Sequence, residues 1–289
     1  MSSPNLIALL WSHWQPSWGL EVQGAFWALL YLLCARRVRR GWPVLRTTSF
    51  LLGIACALIA LQSGLDTFDT QLLSAHMIQH LLLIEVAPLL LVGGRPALLA
   101  LQAAPVSHRP SLARGLRRLR PLTGAVACLI LYSAVVLGTH VPAVQDATVR
   151  TPLLHDAEHA AYLLAGLLLW WPIVDGDPVS VRRLTGLGRL VYVMAAMGPM
   201  ELIGAYLNRQ TTLFYGVYAV PAHALHLSAV IDQQRAGAIM WAGSGMIMVI
   251  VGVWQALGAL VAEERRQQAR ERRLDARMGV DVISDRRPT

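Results

Sequence analysis

The chain is 289 residues long and 55% hydrophobic, with only 15% charged residues, a net charge of +8 and a mean hydropathy of +0.48. A soluble core of this length does not need so apolar a composition, and the apolar residues come in long blocks, the pattern of a polytopic membrane protein. Nucleic acid is a poor explanation of the basic balance, because no lysine occurs and the arginines cluster between apolar blocks, where topology accounts for them.

The chain opens on a tryptophan-bearing stretch, with Trp11, Trp14 and Trp18, that reads as an interfacial segment over residues 1–18. It carries no charged leader and no cleavage site, so it is not read as a signal peptide. Seven apolar spans follow, at Gly19–Val38, Ser49–Gly64, Leu73–Gly93, Leu122–Gly138, His155–Val174, Arg189–Leu207 and Ala236–Ala262. The expected fold is an all-α membrane protein, a bundle of about seven transmembrane helices over residues 19–262, with a basic tail over 263–289. Cys34, Cys56 and Cys128 lie inside apolar blocks with no close pairing and read as small buried hydrophobes.

Arginine position orients the bundle. One set of connecting segments holds Arg36, Arg37, Arg39, Arg40 and Arg46, then Arg95 and Arg109 to Arg120, then Arg182, Arg183 and Arg189, with eight more in the tail. The opposite set holds only Arg150, Arg209 and Arg235. Positive charge collects on the cytoplasmic side, so seven crossings put the N-terminus outside and the C-terminal tail inside. His13, His76, His80, His140, His155, His159, His223 and His226 then all fall at the outer side, and only His108 falls inside.

Two of these histidine groups share a pattern. In "HMIQH", His76 and His80 are four apart and lie on one helix face, with Gln79 placed to fix an imidazole tautomer. In "HDAEHAAY", His155 and His159 repeat the spacing, with Glu158 and Tyr162 on the same face. Two helices each offering a histidine pair at one depth can surround a metal ion; imidazole suits copper, zinc, iron and nickel. The alternative is that interfacial histidines only bond headgroups and water. The metal candidates are His76, His80, His155 and His159, with Met77, Glu158, His223 and His226 as further candidates. "HDAEH" also fits the H-x-x-E-H pattern of inverted zinc peptidases, but no third ligand or cleft accompanies it. No nucleophile with a placed base and no phosphate-binding loop appears, so an enzyme is not expected. Glu85 and Glu201 lie within spans and are either functional carboxylates or protonated packing groups. The methionines, among them Met194 and Met197, read as a thioether copper path or as ordinary packing.

Three stretches, "HMIQHLLLIEVAPLLLVGGRP", "HDAEHAAYLLAGLLLWWPI" and "DQQRAGAIMW", resemble the signature segments of the CtaG family of bacterial caa-type cytochrome c oxidase assembly factors. The resemblance runs over roughly residues 20 to 260, with one departure: the paired prolines common in the first segment are here Pro88 alone. It matches His76, Gln79 and His80 to the first segment, His155, Glu158 and His159 to the second, and Asp232, Gln233, Gly237, Met240 and Trp241 to the third. It implies a multi-pass protein of the bacterial inner membrane that supplies copper, as Cu(I), to haem–copper oxidase subunits, with a periplasmic copper carrier as a further partner and membrane lipid around it. A haem-binding protein of oxidase biogenesis and a copper transporter stand as the alternatives.

Overall fold

In the computed structural model, residues 13–38, 41–119, 121–173, 184 and 186–284 are described, and every regular element among them is a helix. Most of the expected interfacial segment, residues 1–12, and most of the loop carrying Arg182 and Arg183 lie outside the described residues.

The helices begin and end where proline and glycine require it. α1 (Trp18–Arg37) stops ahead of Gly41, whose φ of 76° no ordinary residue adopts comfortably, and Pro43 caps α2 (Val44–Gln62). A single turn, α3 (Gly64–Phe68), leads into the central element. That element runs as α4 (Leu73–Leu81), a π-helical segment π1 (Leu82–Val86) and α5 (Ala87–Gly93), then α6 (Pro96–Ala103). The amphipathic α7 (Arg109–Arg118) buries none of its residues, as its arginines require. α8 (Ala125–Thr139) is only 15 residues long, and Pro142 opens α9 (Pro142–Arg150) at a bend of 76°. Then come α10 (Pro152–Trp170), α11 (Gly186–Arg209) and two short helices, α12 (Ala219–Ala224) and α13 (Ala229–Ala238). A second π-helical segment, π2 (Ile239–Ser244), passes into the long α14 (Gly245–Ser284), which carries the basic tail as a helix as far as Ser284.

Among the described residues, five helices are long and apolar enough to cross a membrane, and the bent α8–α9 pair makes a sixth. The chain is therefore an all-α membrane protein. α10 falls short of that test for a chemical reason: its outer turns carry His155, Asp156, Glu158 and His159. The segment Leu73–Ala103 lies at the centre, with 56% of its most apolar window buried, whereas α1 has 6%.

Close packing at two places sets the depth of the buried groups. A Cβ on Gly166 of α10 would overlap the Ile84 carbonyl and the Pro88 ring, so α10 and π1 meet backbone to backbone. Gly204 and Gly237 do the same for α11 and α13, each lying against the other's carbonyl. Cys128 is buried and Cys34 and Cys56 are half-buried, all three unpaired, as small hydrophobes within apolar blocks should be.

Candidate metal centre

One end of the bundle brings the two histidine pairs together. α4 presents His76 and His80, their ring centroids 4.1 Å apart, and α10 presents His155 and His159 at 4.2 Å. Across the helices, His76 lies 5.3 Å from His155 and 6.3 Å from His159, and His80 lies 5.8 Å from His159. Glu158 reaches into the same space: its Oε2 is 3.7 Å from His76 Nε2 and 3.9 Å from His80 Nε2. Asp69, from the turn before α4, closes the other side with Oδ2 at 3.5 Å from His155 Nε2.

These separations are too long for hydrogen bonds and too short for indifference. Two donors each about 2.0–2.1 Å from a shared tetrahedral ion stand roughly 3.3 Å apart. Two overlapping groups meet the requirement of mutual closeness, Asp69–His155–His159 and His76–His155–Glu158, each with its ligand atoms within 4.8 Å of one another. They share His155, whose side chain is 12% exposed and is the group of the cluster most open to the outside.

The polar atoms of the cluster are also short of partners. Both ring nitrogens of His80, Nε2 of His155 and of His159, and both oxygens of Glu158 and of Asp69 are buried without a hydrogen bond from the protein. Buried polar atoms left in that state are costly, and several converging on one spot call for a bound group between them. An apolar setting also keeps imidazoles neutral, the form that binds metal. Burial pushes the Asp69 carboxyl up to about 8, and the neighbouring Asp66 carboxylate adds to the shift; a cation beside it would reverse that cost.

The surrounding shell orients the ligands. The Gln145 amide of α9 donates to His76 Nε2 at 3.3 Å, which puts the ring proton on Nδ1 and holds the ring in place; an ion bound at Nε2 would take that lone pair over from the amide. Tyr162 packs over His80 with centroids 3.9 Å apart, and its hydroxyl bonds Thr139 at 2.8 Å. Asp232 of α13 accepts from the backbone N–H and the hydroxyl of Ser74, and so fastens the start of α4, two residues before His76. Gln233 accepts from Phe214 N at 2.7 Å and donates to Thr212 O at 3.1 Å, tying the outer loop to α13.

The sequence-based expectations fare unevenly. His76, His80, His155, His159 and Glu158 converge. Gln79 does not set a histidine tautomer: its amide donates to Ala60 O at 3.0 Å and Asp66 Oδ1 at 3.1 Å, because its side of α4 faces α2 and α3. Met77 is buried in the apolar core, and His223 and His226 are exposed and belong to neither ligand group. Glu85 lies deeper, in π1, where its Oε1 accepts from the Ser244 hydroxyl of π2. Sequence reading missed three participants. Asp69 was legible as an outer acid but not as a neighbour of α10. Gln145 and His140, the latter donating Nδ1–H to Val136 O at 2.7 Å, belong to the bent pair, whose fold no local pattern announces.

Comparison with known proteins places this geometry in context. The family model described as cytochrome c oxidase caa3 assembly factor (Caa3_CtaG) matches residues 29–260. The chain is 28% identical over 283 residues to the uncharacterized protein Mb0105 of Mycobacterium bovis, covering 93% of this chain and 42% of that protein. It is 29% identical over 245 residues to the uncharacterized protein ML1998 of Mycobacterium leprae, covering 81% of this chain and 36% of that protein. The chain thus spans less than half the length of these curated relatives. No solved structure matches.

Proposed function

Because the chain belongs to the family of cytochrome c oxidase caa3 assembly factors, we propose that it matures a haem–copper oxidase by holding copper in the His76–His80–Glu158–His155–His159 cluster and releasing it to an oxidase subunit. The observation that supports copper is the convergence of four imidazoles and two carboxylates, most of whose buried polar atoms have no hydrogen-bond partner in the protein. Imidazole accepts copper in either oxidation state, and Glu158 and Asp69 add affinity for the divalent ion. Among the described residues the two ligand groups hold imidazole and carboxylate and no thiolate, so the grip is looser than that of a cysteine cluster, as hand-over requires. His155, the most exposed group of the cluster at 12%, is the natural first and last ligand of the moving ion.

The topology proposed with it has seven crossings, α10 among them, with the histidine end at the periplasmic face of the inner membrane and the arginine-rich segments in the cytoplasm. A haem would need a flat slot between two imidazoles, whereas rings of this cluster already pack on one another and on Tyr162 at 3.9–5.8 Å. That packing favours an ion over a porphyrin.

The test is metal analysis and an absorption spectrum of the purified protein, beside the double variant His76→Ala/His159→Ala. Near-stoichiometric copper in the wild type, absent from the variant and unaccompanied by a Soret band, is the expected result. A wild type that stays metal-free after loading with both Cu(I) and Cu(II), or a Soret band lost in the variant, would sink the copper reading.

A further inference from the structure

The donors of the cluster do not converge on a single point. They fall into the two groups Asp69–His155–His159 and His76–His155–Glu158, and only His155 belongs to both. Each group offers two imidazoles and one carboxylate, a set that can hold copper by itself. Asp69 and His159 therefore make, with His155, a position beside the one that Glu158 closes.

The two positions differ in support and in access. Around Glu158 Oε2 stand His76 Nε2 at 3.7 Å and a further imidazole, that of His80, at 3.9 Å. Those three side chains are at most 1% exposed, and with His155 they put four donors within reach of one ion. The other position has three donors. Asp69 stands in the turn between α3 and α4, its Oδ2 3.5 Å from Nε2 of His155, the most exposed side chain of the cluster. Both Asp69 oxygens and Nε2 of His159 are buried without a hydrogen bond from the protein, so this second group is as short of partners as the first. Four donors out of reach of water suit a resting ion; three donors beside the exposed edge of His155 suit an ion in transit.

We propose that Asp69, His155 and His159 form a transfer position through which a single Cu(I) ion passes to and from its resting position at Glu158. This step rests on the copper reading above. On the way in, the bonds from Asp69 and His159 break and bonds from His76 and Glu158 form. His155 stays on the ion throughout, the Gln145 amide gives up the His76 lone pair, and the oxidation state of the ion does not change. One carboxylate and one imidazole replace another of each, so no donor leaves before its equal is at hand. A waypoint of this kind sets the rates in both directions and leaves the equilibrium alone, which separates it from a ligand of the resting ion.

The experiment loads and unloads the full chain in detergent with Cu(I), without oxygen and against a chromogenic Cu(I) chelator, reading stoichiometry, affinity and both rates. Wild type is expected to hold one Cu(I). Asp69→Asn keeps the shape and should slow uptake and release together by about tenfold, with the affinity within about twofold of wild type. Should that variant unfold at a lower temperature than wild type, His159→Gln breaks the same position from α10 and should give the same pair of slowed rates. Weaker binding carried by faster release alone would make Asp69 an ordinary ligand of the resting ion and overturn the proposal. Unchanged rates, or two Cu(I) ions held together in the wild type, would overturn it as well. A wild type that binds no Cu(I) would instead remove the copper reading, and this step with it.

Discussion

The two ends of this bundle hold ionisable residues on opposite terms. At the histidine end all but His155 of the clustered side chains are buried, their donor atoms face one another, and most of those atoms lack a hydrogen-bond partner in the protein. At the arginine end the guanidinium groups are half-buried and rest on Trp42 and Gln255. Arginine is charged at any ordinary pH and tolerates partial burial only with water or an acceptor nearby. Imidazole sheds its charge when buried and becomes a lone-pair donor. One end thus gathers neutral lone-pair donors out of water, and the other keeps permanent positive charge at the water's edge. Burial, more than the count of charged residues, separates them.

The largest effect expected is at the histidine end. His76→Ala/His159→Ala removes one imidazole from each helix and should abolish copper retention, as read by metal analysis after dialysis against a weak chelator. Glu158→Gln comes next. It keeps the shape but withdraws a carboxylate close to both His76 and His80, and copper affinity in a competition titration should fall roughly 100-fold, at or above the 10–100-fold range seen for supporting residues. Gln145→Ala touches only the orientation of His76 and should cost about tenfold in the same titration. If Gln145→Ala and Glu158→Gln weaken binding equally, the carboxylate orients imidazoles and does not touch the metal, and the contrast between ligand and support inside the cluster collapses.

How much of this was legible beforehand follows the range of the interactions. The two i,i+4 histidine pairs and Glu158 are local features of helices, and their spacing alone put them on two faces that the fold brings together. The helix starts at Val44 and Pro152, by contrast, lie ahead of the apolar blocks expected from Ser49 and His155, because Pro43 and Pro152 set them and hydropathy does not. The bend between α8 and α9 was not legible, because it depends on how α9 folds back under the cluster, and with it went Gln145. The two π-helical segments were equally hidden. A straight α-helix would set Glu85 opposite His76; with π1 widening the turn and neighbours on every side of the central helix, both are fully buried. Gln79 shows the converse error, where a plausible local partner was taken by a carbonyl 19 residues away. The apolarity of α10 was overestimated for a related reason, since residues that serve the cluster dilute its hydropathy.

A smaller effect tests the outer surface. His223→Ala/His226→Ala should leave copper affinity within about twofold of wild type, because both imidazoles are exposed and the ligand set is complete without them. A larger drop would place a feeder position outside the buried cluster and make the approach to His155 part of the site.

The smallest expected effect lies midway between the two ends, and it decides whether they are connected. Glu85 accepts the Ser244 hydroxyl where π1 and π2 meet, and its second oxygen is buried without a protein hydrogen bond. Buried carboxylates at this depth mark ion or proton paths often enough that a transporter has to be tested directly. Glu85→Gln retains an acceptor for Ser244 and removes the charge. If the molecule only loads and unloads copper at its outer end, the variant should match wild type within about twofold in copper affinity and in the oxidase activity of cells that depend on it. Loss of oxidase maturation with copper binding intact would mean that an ion or proton has to pass Glu85 on its way between the ends. The histidine cluster would then be the mouth of a path and no longer a self-contained delivery site.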